Sequence, residues 1–411
     1  MEPRVNWRQA LLRVDRLMPG HFPWLGGKNG NSDKDETPSF SSLPLVTSGV
    51  LEQFYYNDSN PLARRNDLYT YQTSGTSSGH RKTIYYTQRD EDEYLRIKQD
   101  VFRKILGADT YRKALADMGT GHAAATAVDV FRCLGMEAES ISFQQPIAEH
   151  VACLTEYQPD VLYTMPSILD RILHASPNPQ DYQIKKVILV GEIATHAWIQ
   201  SAANRLGIDK TQIVDTYGSI EVGTISYYCH KHERYLFAEG LWAEGLSAEE
   251  IEESLPSLED KEERVLVLTS TVREAFPVIR YVTYDVVRDL RPILIDGNWQ
   301  QSFKCIVKRI GPDLKHGEKI SIHDIETVVL RHLNEAIVRV SMANRVLVVT
   351  IYDPKATNAV LEQIRNELEE RLPEIGMMIR AGLLEPIQVI RGHFNDSMYS
   401  RAVKNKKIHY E

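Results

Sequence analysis

Lys185-Lys186-Val187-Ile188-Leu189-Val190-Gly191-Glu192 is the stretch whose reading decides the fold. A lysine pair gives way to an unbroken apolar run, and a glycine and an acid follow at once. A run apolar on both faces reads as a strand covered on both sides, as in a parallel sheet flanked by helices. The chain then predicts a helix carrying Trp198. Outward from there, Val161–Thr164 is a second short buried strand, leading into a helix opened by Pro166. Ile213–Asp215 repeats the pattern before a Tyr-Gly loop. Repeated strand–loop–helix units predict an α/β class.

Towards the N-terminus, Leu68–Gln72 and Thr83–Thr87 read as strands on either side of a glycine loop, with a polar helix from Asp90 to Leu106. Residues 20–45, rich in Gly, Ser, Asp and Pro, read as a long surface loop. Met1 to Pro19 mixes Arg4, Arg8, Arg13, Asp15 and Arg16 with apolar residues, which predicts an amphipathic helix and not a secretory signal. Towards the C-terminus, Val265–Ser270, Val278–Tyr284 and Val286–Leu290 alternate as strands, and Ile293–Phe303 is a hairpin turning at Asp296-Gly297-Asn298. Past Arg309 the pattern is a small α+β unit: helix Ile322–Leu333, strands at Ile337–Ser341 and Arg345–Ile351, helix Thr357–Arg371, strand Ile387–Ile390 and a basic tail. The expected organisation is a large domain of sheets flanked by helices over residues 1–309 and a small mobile domain over 310–411.

Composition narrows the function classes. A chain of 411 residues is longer than one core usually supports. The net charge of -8, with no long Lys/Arg run, argues against a nucleic-acid partner. No apolar stretch approaches the roughly 18 residues that a membrane span needs. Cys133, Cys153, Cys229 and Cys305 are scattered and make no disulfide framework, so a cytoplasmic enzyme is expected.

Four stretches carry chemistry. In Thr73-Ser74-Gly75-Thr76-Ser77-Ser78-Gly79, followed by Arg81 and Lys82, small residues let backbone N–H groups approach phosphate oxygens, and the cations add charge. Taken alone it is a polar hairpin loop, and the P-loop order is absent. In Asp215-Thr216-Tyr217-Gly218-Ser219-Ile220-Glu221 the tyrosine can stack on a purine and the glutamate can hold Mg²⁺. In Arg280-Tyr281-Val282-Thr283-Tyr284-Asp285 a strand-end aspartate suits paired ribose hydroxyls. The tail cluster Arg401, Lys404, Lys406 and Lys407 is either a solvated tail or the source of a cation that meets a reacting carboxylate.

In this order and at these separations, the four stretches resemble the adenylate-forming superfamily of acyl-CoA synthetases, nonribosomal adenylation domains and luciferases, nearest its phenylacetate–CoA ligase branch. The resemblance runs from about Leu68 to Lys407. It implies ATP and Mg²⁺ as cofactors and an acid–AMP or acid–thiol ligase. It implies that Thr73, Ser74, Gly75, Thr76 and Gly79, with Lys82 or Arg81 nearby, cradle the phosphates. Gly191 and Glu192 border the adenine and the acid, Asp215, Tyr217 and Gly218 form the purine-side motif, and Glu221 engages the metal. Asp285 and Arg309 take the ribose, and Lys404, with Lys406 as alternate, serves adenylation. Gly317, Ile320, Ile325 and Glu326 match the small-domain pattern.

The departures are Tyr284 where the family places glycine, which is expected to crowd or reshape the ribose site, Lys308 for the glycine before the hinge arginine, and no glycine before Lys404. Small residues from Gly119 to Ala125, with His122, Tyr163 and Ser167 as substrate-binding candidates, favour an aromatic acid such as a hydroxybenzoate. Overall similarity to the stand-alone aryl-acid–AMP ligases of siderophore assembly implies 3,4-dihydroxybenzoate. The implied partner is then an aryl carrier protein of siderophore assembly, or coenzyme A, and a homodimer is a further expectation. The rival readings are a phenylacetate-like acyl-CoA ligase and a non-catalytic ATP- or acyl-binding regulator. Cys229, His230, His232 and Cys305 are a side candidate for zinc, with buried free cysteines as the plainer reading.

Overall fold

The computed structural model describes residues 6–20, 22, 39–72, 82–118, 122–258, 260–311, 322–343, 346–371, 385–393 and 408–410. The fold is mixed α/β, and the chain divides into two compact units, each discontinuous in sequence: residues 1–107 with 216–313, and residues 108–215 with 314–411.

In chain order the first unit begins with helices α1 (Trp7–Leu17) and α2 (Ser48–Phe54), hairpin strands β1 (Tyr69–Gln72) and β2 (Thr83–Tyr86), and helix α3 (Gln88–Leu106). Helix α3 starts two residues before the sequence expectation because Thr87 caps it. The Thr87 side chain accepts from Asp90 N, and the Asp90 carboxylate accepts from Thr87 N. Arg103 and Lys104 occupy its last turn, and Gly107, at φ 68°, ends it.

The second unit continues with β3 (Lys113–Met118), α4 (His122–Cys133), β4 (Glu137–Ser142), α5 (Ile147–Tyr157), β5 (Val161–Thr164), α6 (Pro166–Ala175), β6 (Lys186–Val190) and α7 (His196–Leu206). Strands β6, β5, β3 and β4 lie side by side and parallel, as the apolar runs at 161–164 and 186–190 predict. Val187, Ile188 and Leu189 are fully buried.

Strand β7 (Ile213–Ser219) carries the chain back into the first unit, followed by β8 (Gly223–Cys229), β9 (Arg234–Phe237), β10 (Leu241–Leu246), β11 (Glu263–Ser270), β12 (Tyr281–Arg288), β13 (Arg291–Ile295), β14 (Asn298–Phe303) and β15 (Cys305–Arg309). One antiparallel sheet has the order β10-β11-β12-β15, and antiparallel pairing also links β7, β8, β9, β14 and β13 in turn. The two strands expected at Val278–Tyr284 and Val286–Leu290 are one strand, β12. Its pairing shifts register between Val286 and Val287 without ending, so a bulge absorbs the irregularity.

The C-terminal segment completes the second unit with α8 (Ile322–His332), β16 (Ile337–Ala343), β17 (Val346–Tyr352), α9 (Asn358–Arg371), β18 (Gln388–Arg391) and β19 (Ile408–Tyr410), strand order β18-β17-β16-β19. The end of the basic tail is thus a strand, parallel to β16. One apolar cluster joins this segment to the parallel-sheet segment: Leu162, Leu189, Trp198 and Leu206 belong to it together with Val329, Leu333, Val349 and Ile364.

Candidate active site

The β7–β8 hairpin holds Glu221 at its turn. Gly218 is required there, because a Cβ at that position would stand 2.7 Å from the Gly223 carbonyl oxygen. The turn is gripped from the protein side. The Tyr86 hydroxyl donates to the Ile220 carbonyl at 2.6 Å, and Arg273 Nε donates to the Glu221 carbonyl at 3.0 Å. Arg273 is itself buried, 2.5 Å from Asp90 Oδ2 and 3.7 Å over the Tyr86 ring, and it also donates to the Tyr85 carbonyl at 2.7 Å. Asp90 additionally accepts from the backbone N–H groups of Glu274 and Ala275 at 2.7 and 3.0 Å. Removing one partner of such a buried pair typically costs about 3–5 kcal/mol.

By contrast, the half-buried Glu221 carboxylate makes no hydrogen bond or ion pair among the described residues. Its charge is felt by Tyr56, Tyr86 and Tyr281, whose phenols burial pushes well above their ordinary range; Glu221 is the next cause for Tyr56 and Tyr281, and a lesser one for Tyr86, behind Arg273, which acts downward, and behind Tyr94 and Asp90. An uncommitted carboxylate among neutral phenols is a hard oxygen donor of the type Mg²⁺ takes.

Three strands converge on Asp285. It lies on β12 in register with Arg309 of β15. The Tyr217 hydroxyl, from β7, donates to Asp285 Oδ2 at 2.5 Å, and the Arg309 guanidinium lies 3.8 Å from Oδ1. Burial, then the Asp285 charge, holds the Tyr217 phenol neutral, so it remains a donor. Asp285 acts first among the groups that raise the Arg309 pKa. Behind the carboxylate, Asp285 N donates to Thr283 Oγ1 at 3.1 Å, and that hydroxyl donates to the Leu266 carbonyl at 2.8 Å.

Tyr284 does not crowd this cluster, contrary to the sequence expectation. Successive strand residues face opposite sides. The Tyr284 ring is buried with Val282, Val286, Ala248 and Leu255, and its hydroxyl reaches Ser48 and Glu252.

Lys82, next to the glycine loop, is ion-paired to Glu52 and sits 4.7 Å over the Tyr56 ring. Thr73, Ser74, Gly75, Thr76 and Gly79 lie outside the described residues, as do Lys404, Lys406, Gly317 and Ile320. Within the second unit, Gly191 turns the chain at the end of β6 with φ 87°. The Glu192 carboxylate accepts from Ser167 N and Ser167 Oγ, both at 2.8 Å, and so satisfies a donor at the start of α6. Tyr163 is buried in β5 with its ring edge-on to Phe131. Asp215 is buried at the head of the tyrosine motif. His122 opens α4, and its side chain is outside the described residues. In the C-terminal segment Ile325 is buried, and the buried Glu326 accepts from Thr195 Oγ1 at 2.7 Å.

Sequence reading missed Arg273, Asp90, Glu52 and Tyr281. A signal existed for one of them: Thr87-x-x-Asp90 has cap spacing, which marks a helix start but not the ion pair. No group of three or more His, Cys, Asp or Glu side chains among the described residues is arranged to hold a metal, so Cys229, His230, His232 and Cys305 do not assemble as the zinc site considered above. His230 instead packs edge-on against Tyr228, 5.0 Å between centroids.

Residues 23–243 match the AMP-binding enzyme family. The chain belongs to these adenylate-forming enzymes. Residues 315–395 match the fumarate–diaminopropanoate ligase C-terminal domain. This AMP-binding enzyme is 33% identical to a fumarate–(S)-2,3-diaminopropanoate ligase of Enterobacter agglomerans, over 90% of this chain and 91% of the relative. It is 26% identical to a phenylacetate–coenzyme A ligase of Aromatoleum evansii over 63% of this chain and 59% of that one. A 2-hydroxyisobutyryl-CoA ligase in complex with an acyl-AMP shares its fold, with a TM-score of 0.75 and 14% identity, covering 98% of this chain and 88% of the other. The enzyme is therefore a ligase that uses ATP to activate an acid. No helix among its described residues is long and apolar enough to cross a membrane.

Proposed function

We propose that this ligase adenylates a small carboxylic acid and passes the acyl group to an amine. The carboxylate oxygen bonds to the α-phosphorus of ATP and pyrophosphate leaves. The amine nitrogen then bonds to the acyl carbon, AMP leaves, and the nitrogen loses a proton. The observation that carries adenylation is the convergence of Tyr217, Asp285 and Arg309 beside an uncommitted Glu221. In this reading Asp285 and Arg309 take the ribose hydroxyls, Tyr217 borders the purine while orienting Asp285, and Glu221 is the ligand for Mg²⁺, which when bound neutralises phosphate charge. Lys82 with the glycine loop of residues 73–79 holds the phosphates, Gly191 and Glu192 border the adenine, and Lys404 meets the carboxylate. The amine acceptor is favoured by the similarity over 90% of the chain, C-terminal segment included, to a ligase named for fumarate and an amino acid.

A second reading keeps the aromatic acid. The small residues Gly119, Gly121, Ala123, Ala124 and Ala125 suit a flat ring, with His122, Tyr163 and Ser167 as the polar lining. It would make the chain a stand-alone 3,4-dihydroxybenzoate–AMP ligase like that of petrobactin assembly, cytoplasmic and serving an aryl carrier protein, or else a ligase that serves coenzyme A. ATP–pyrophosphate exchange across fumarate, other short dicarboxylates, 3,4-dihydroxybenzoate and phenylacetate separates the acids. Mass analysis of products with diamino acids, coenzyme A or a pantetheinylated carrier separates the acceptors. Exchange with a short dicarboxylate and an amide product is expected. Exchange confined to hydroxybenzoates with a thioester product would replace the first reading by the second.

A further inference from the structure

Tyr284 occupies the backbone state that glycine adopts freely. Its φ is 61°, in the left-handed region where a bulky side chain costs about 1–3 kcal/mol. The next residue is Asp285. A strained residue persists only where its surroundings hold it, and the holding groups are visible. The Tyr284 hydroxyl donates to Glu252 Oε1 at 2.7 Å, accepts from Ser48 N at 3.1 Å and lies 3.1 Å from Ser48 Oγ. Burial pushes its pKa up to about 12, so it stays a neutral donor. The Tyr284 carbonyl accepts from Ile310 N at 2.8 Å, one residue past Arg309. The turn at Tyr284 thus lies immediately beside the Asp285–Arg309 pair, one rung along the same two strands.

A second left-handed residue flanks the same strand. Arg280, at φ 47°, donates through Nη1 to the carbonyls of Ser41 and Leu43, at 3.0 and 2.5 Å, and pairs with Glu244. Between the two, Val46 joins the strand by a two-way backbone link: Val46 N donates to Arg280 O, and Val282 N donates to Val46 O, each at 3.0 Å. The segment from Ser41 to Ser48 is therefore strapped to β12 at both ends. It leads directly into α2, which carries Glu52, the partner of Lys82.

We propose that Tyr284 is a positioning residue for nucleotide binding: its hydroxyl, clamped by Glu252 and Ser48, holds the strained turn that aims Asp285 at the ribose and fixes α2, and with it Lys82, in register. The proposal deepens the ribose-binding reading of Asp285 and rests on it. A glycine would adopt the same backbone without strain but would lose the hydroxyl's links to Ser48 at the start of α2 and to Glu252.

The test is calorimetric binding of ATP and of 2′-deoxy- and 3′-deoxy-ATP, which needs no knowledge of the acid. The variants are Tyr284→Phe, Glu252→Ala, Glu252→Gln and Asp285→Asn, each with its thermal midpoint. Asp285→Asn is expected to erase the preference for ATP over the deoxy analogues. Tyr284→Phe and Glu252→Ala are expected to weaken ATP binding by about five- to tenfold and to shrink that preference, as loss of a buried hydrogen bond implies. Glu252→Gln, which retains an accepting oxygen, is expected to restore both. If Tyr284→Phe lowers the thermal midpoint but leaves the preference intact, the tyrosine is merely structural and the proposal is overturned. If Asp285→Asn keeps the preference, the ribose reading itself fails. Should Tyr284→Phe not fold, Glu252→Ala and Glu252→Gln decide the matter with the ring in place: an unchanged preference in Glu252→Ala overturns the proposal.

Discussion

Two glutamates follow strand-end glycines in this enzyme, and they have opposite fates. Glu192 comes directly after Gly191, where a parallel strand of the second unit ends, and both of its oxygens are taken by Ser167. Glu221 comes three residues after Gly218, at the tip of an antiparallel hairpin in the first unit. Its backbone is held by Arg273, while its carboxylate is uncommitted among the described residues. The one acid is consumed by a helix start, and the other is presented. Position after a glycine therefore says little about chemistry. What decides is whether a neighbouring element supplies donors, and in a hairpin the fixing is done through the carbonyl, which leaves the side chain free to meet a ligand.

Neutralising each acid in turn should separate the two most widely. Glu221→Gln is expected to lower the rate of pyrophosphate exchange by about 10²–10³-fold and to raise the Mg²⁺ concentration needed for half-maximal exchange, with the melting temperature unchanged. Glu192→Gln should leave the Mg²⁺ requirement where it is. Equal Mg²⁺ shifts in both variants would end the distinction. Next in size is Gly218→Ala. The added methyl meets a carbonyl oxygen at 2.7 Å, in a hairpin already gripped by Tyr86 and Arg273, so the backbone has little room to yield. Overpacking of this kind costs about 1–3 kcal/mol, read as a lowered denaturant midpoint, and the Glu221 turn should lose exchange activity in step with it.

Much of this was legible from residues alone, for a physical reason. Val187–Leu189 reads as buried because an unbroken apolar run has no polar face to offer solvent, and its shortness, its β-branched residues and Gly191 closing it favour a strand over a helix. The hairpin turn at Asp296-Gly297 was equally plain, since both residues take positive φ, at 47° and 82°. The convergence of Tyr217, Asp285 and Arg309 was less so. Each residue was identified, but their contact depends on strand order, which periodicity does not encode. Tyr284 shows the limit most clearly. A tyrosine in place of glycine looked like an intrusion into the ribose site, whereas alternation along β12 turns its ring into the core and its partners lie at Ser48 and Glu252, far away in sequence. The Arg273–Asp90 pair was missed for the same reason. A buried ion pair leaves two unremarkable charges in the sequence and reveals itself only when the strands are assembled.

The smallest expected effect tests the other half of the comparison. Ser167 donates twice to Glu192, once through its backbone N–H and once through its hydroxyl. Ser167→Ala removes the second bond and keeps the first, so the carboxylate stays docked on the start of α6. A single hydrogen bond of this kind contributes about 1.5–3 kcal/mol to stability when the acceptor is charged. The variant should therefore melt slightly below the parent while its Mg²⁺ requirement stays fixed. Its KM for the acid then distinguishes the two roles open to Ser167. If only the melting point moves, the hydroxyl serves Glu192 alone, and the acid contacts must come from elsewhere. If KM for the acid rises severalfold with stability unchanged, the hydroxyl turns from Glu192 to the substrate on binding, and Glu192 keeps the Ser167 backbone N–H as a donor.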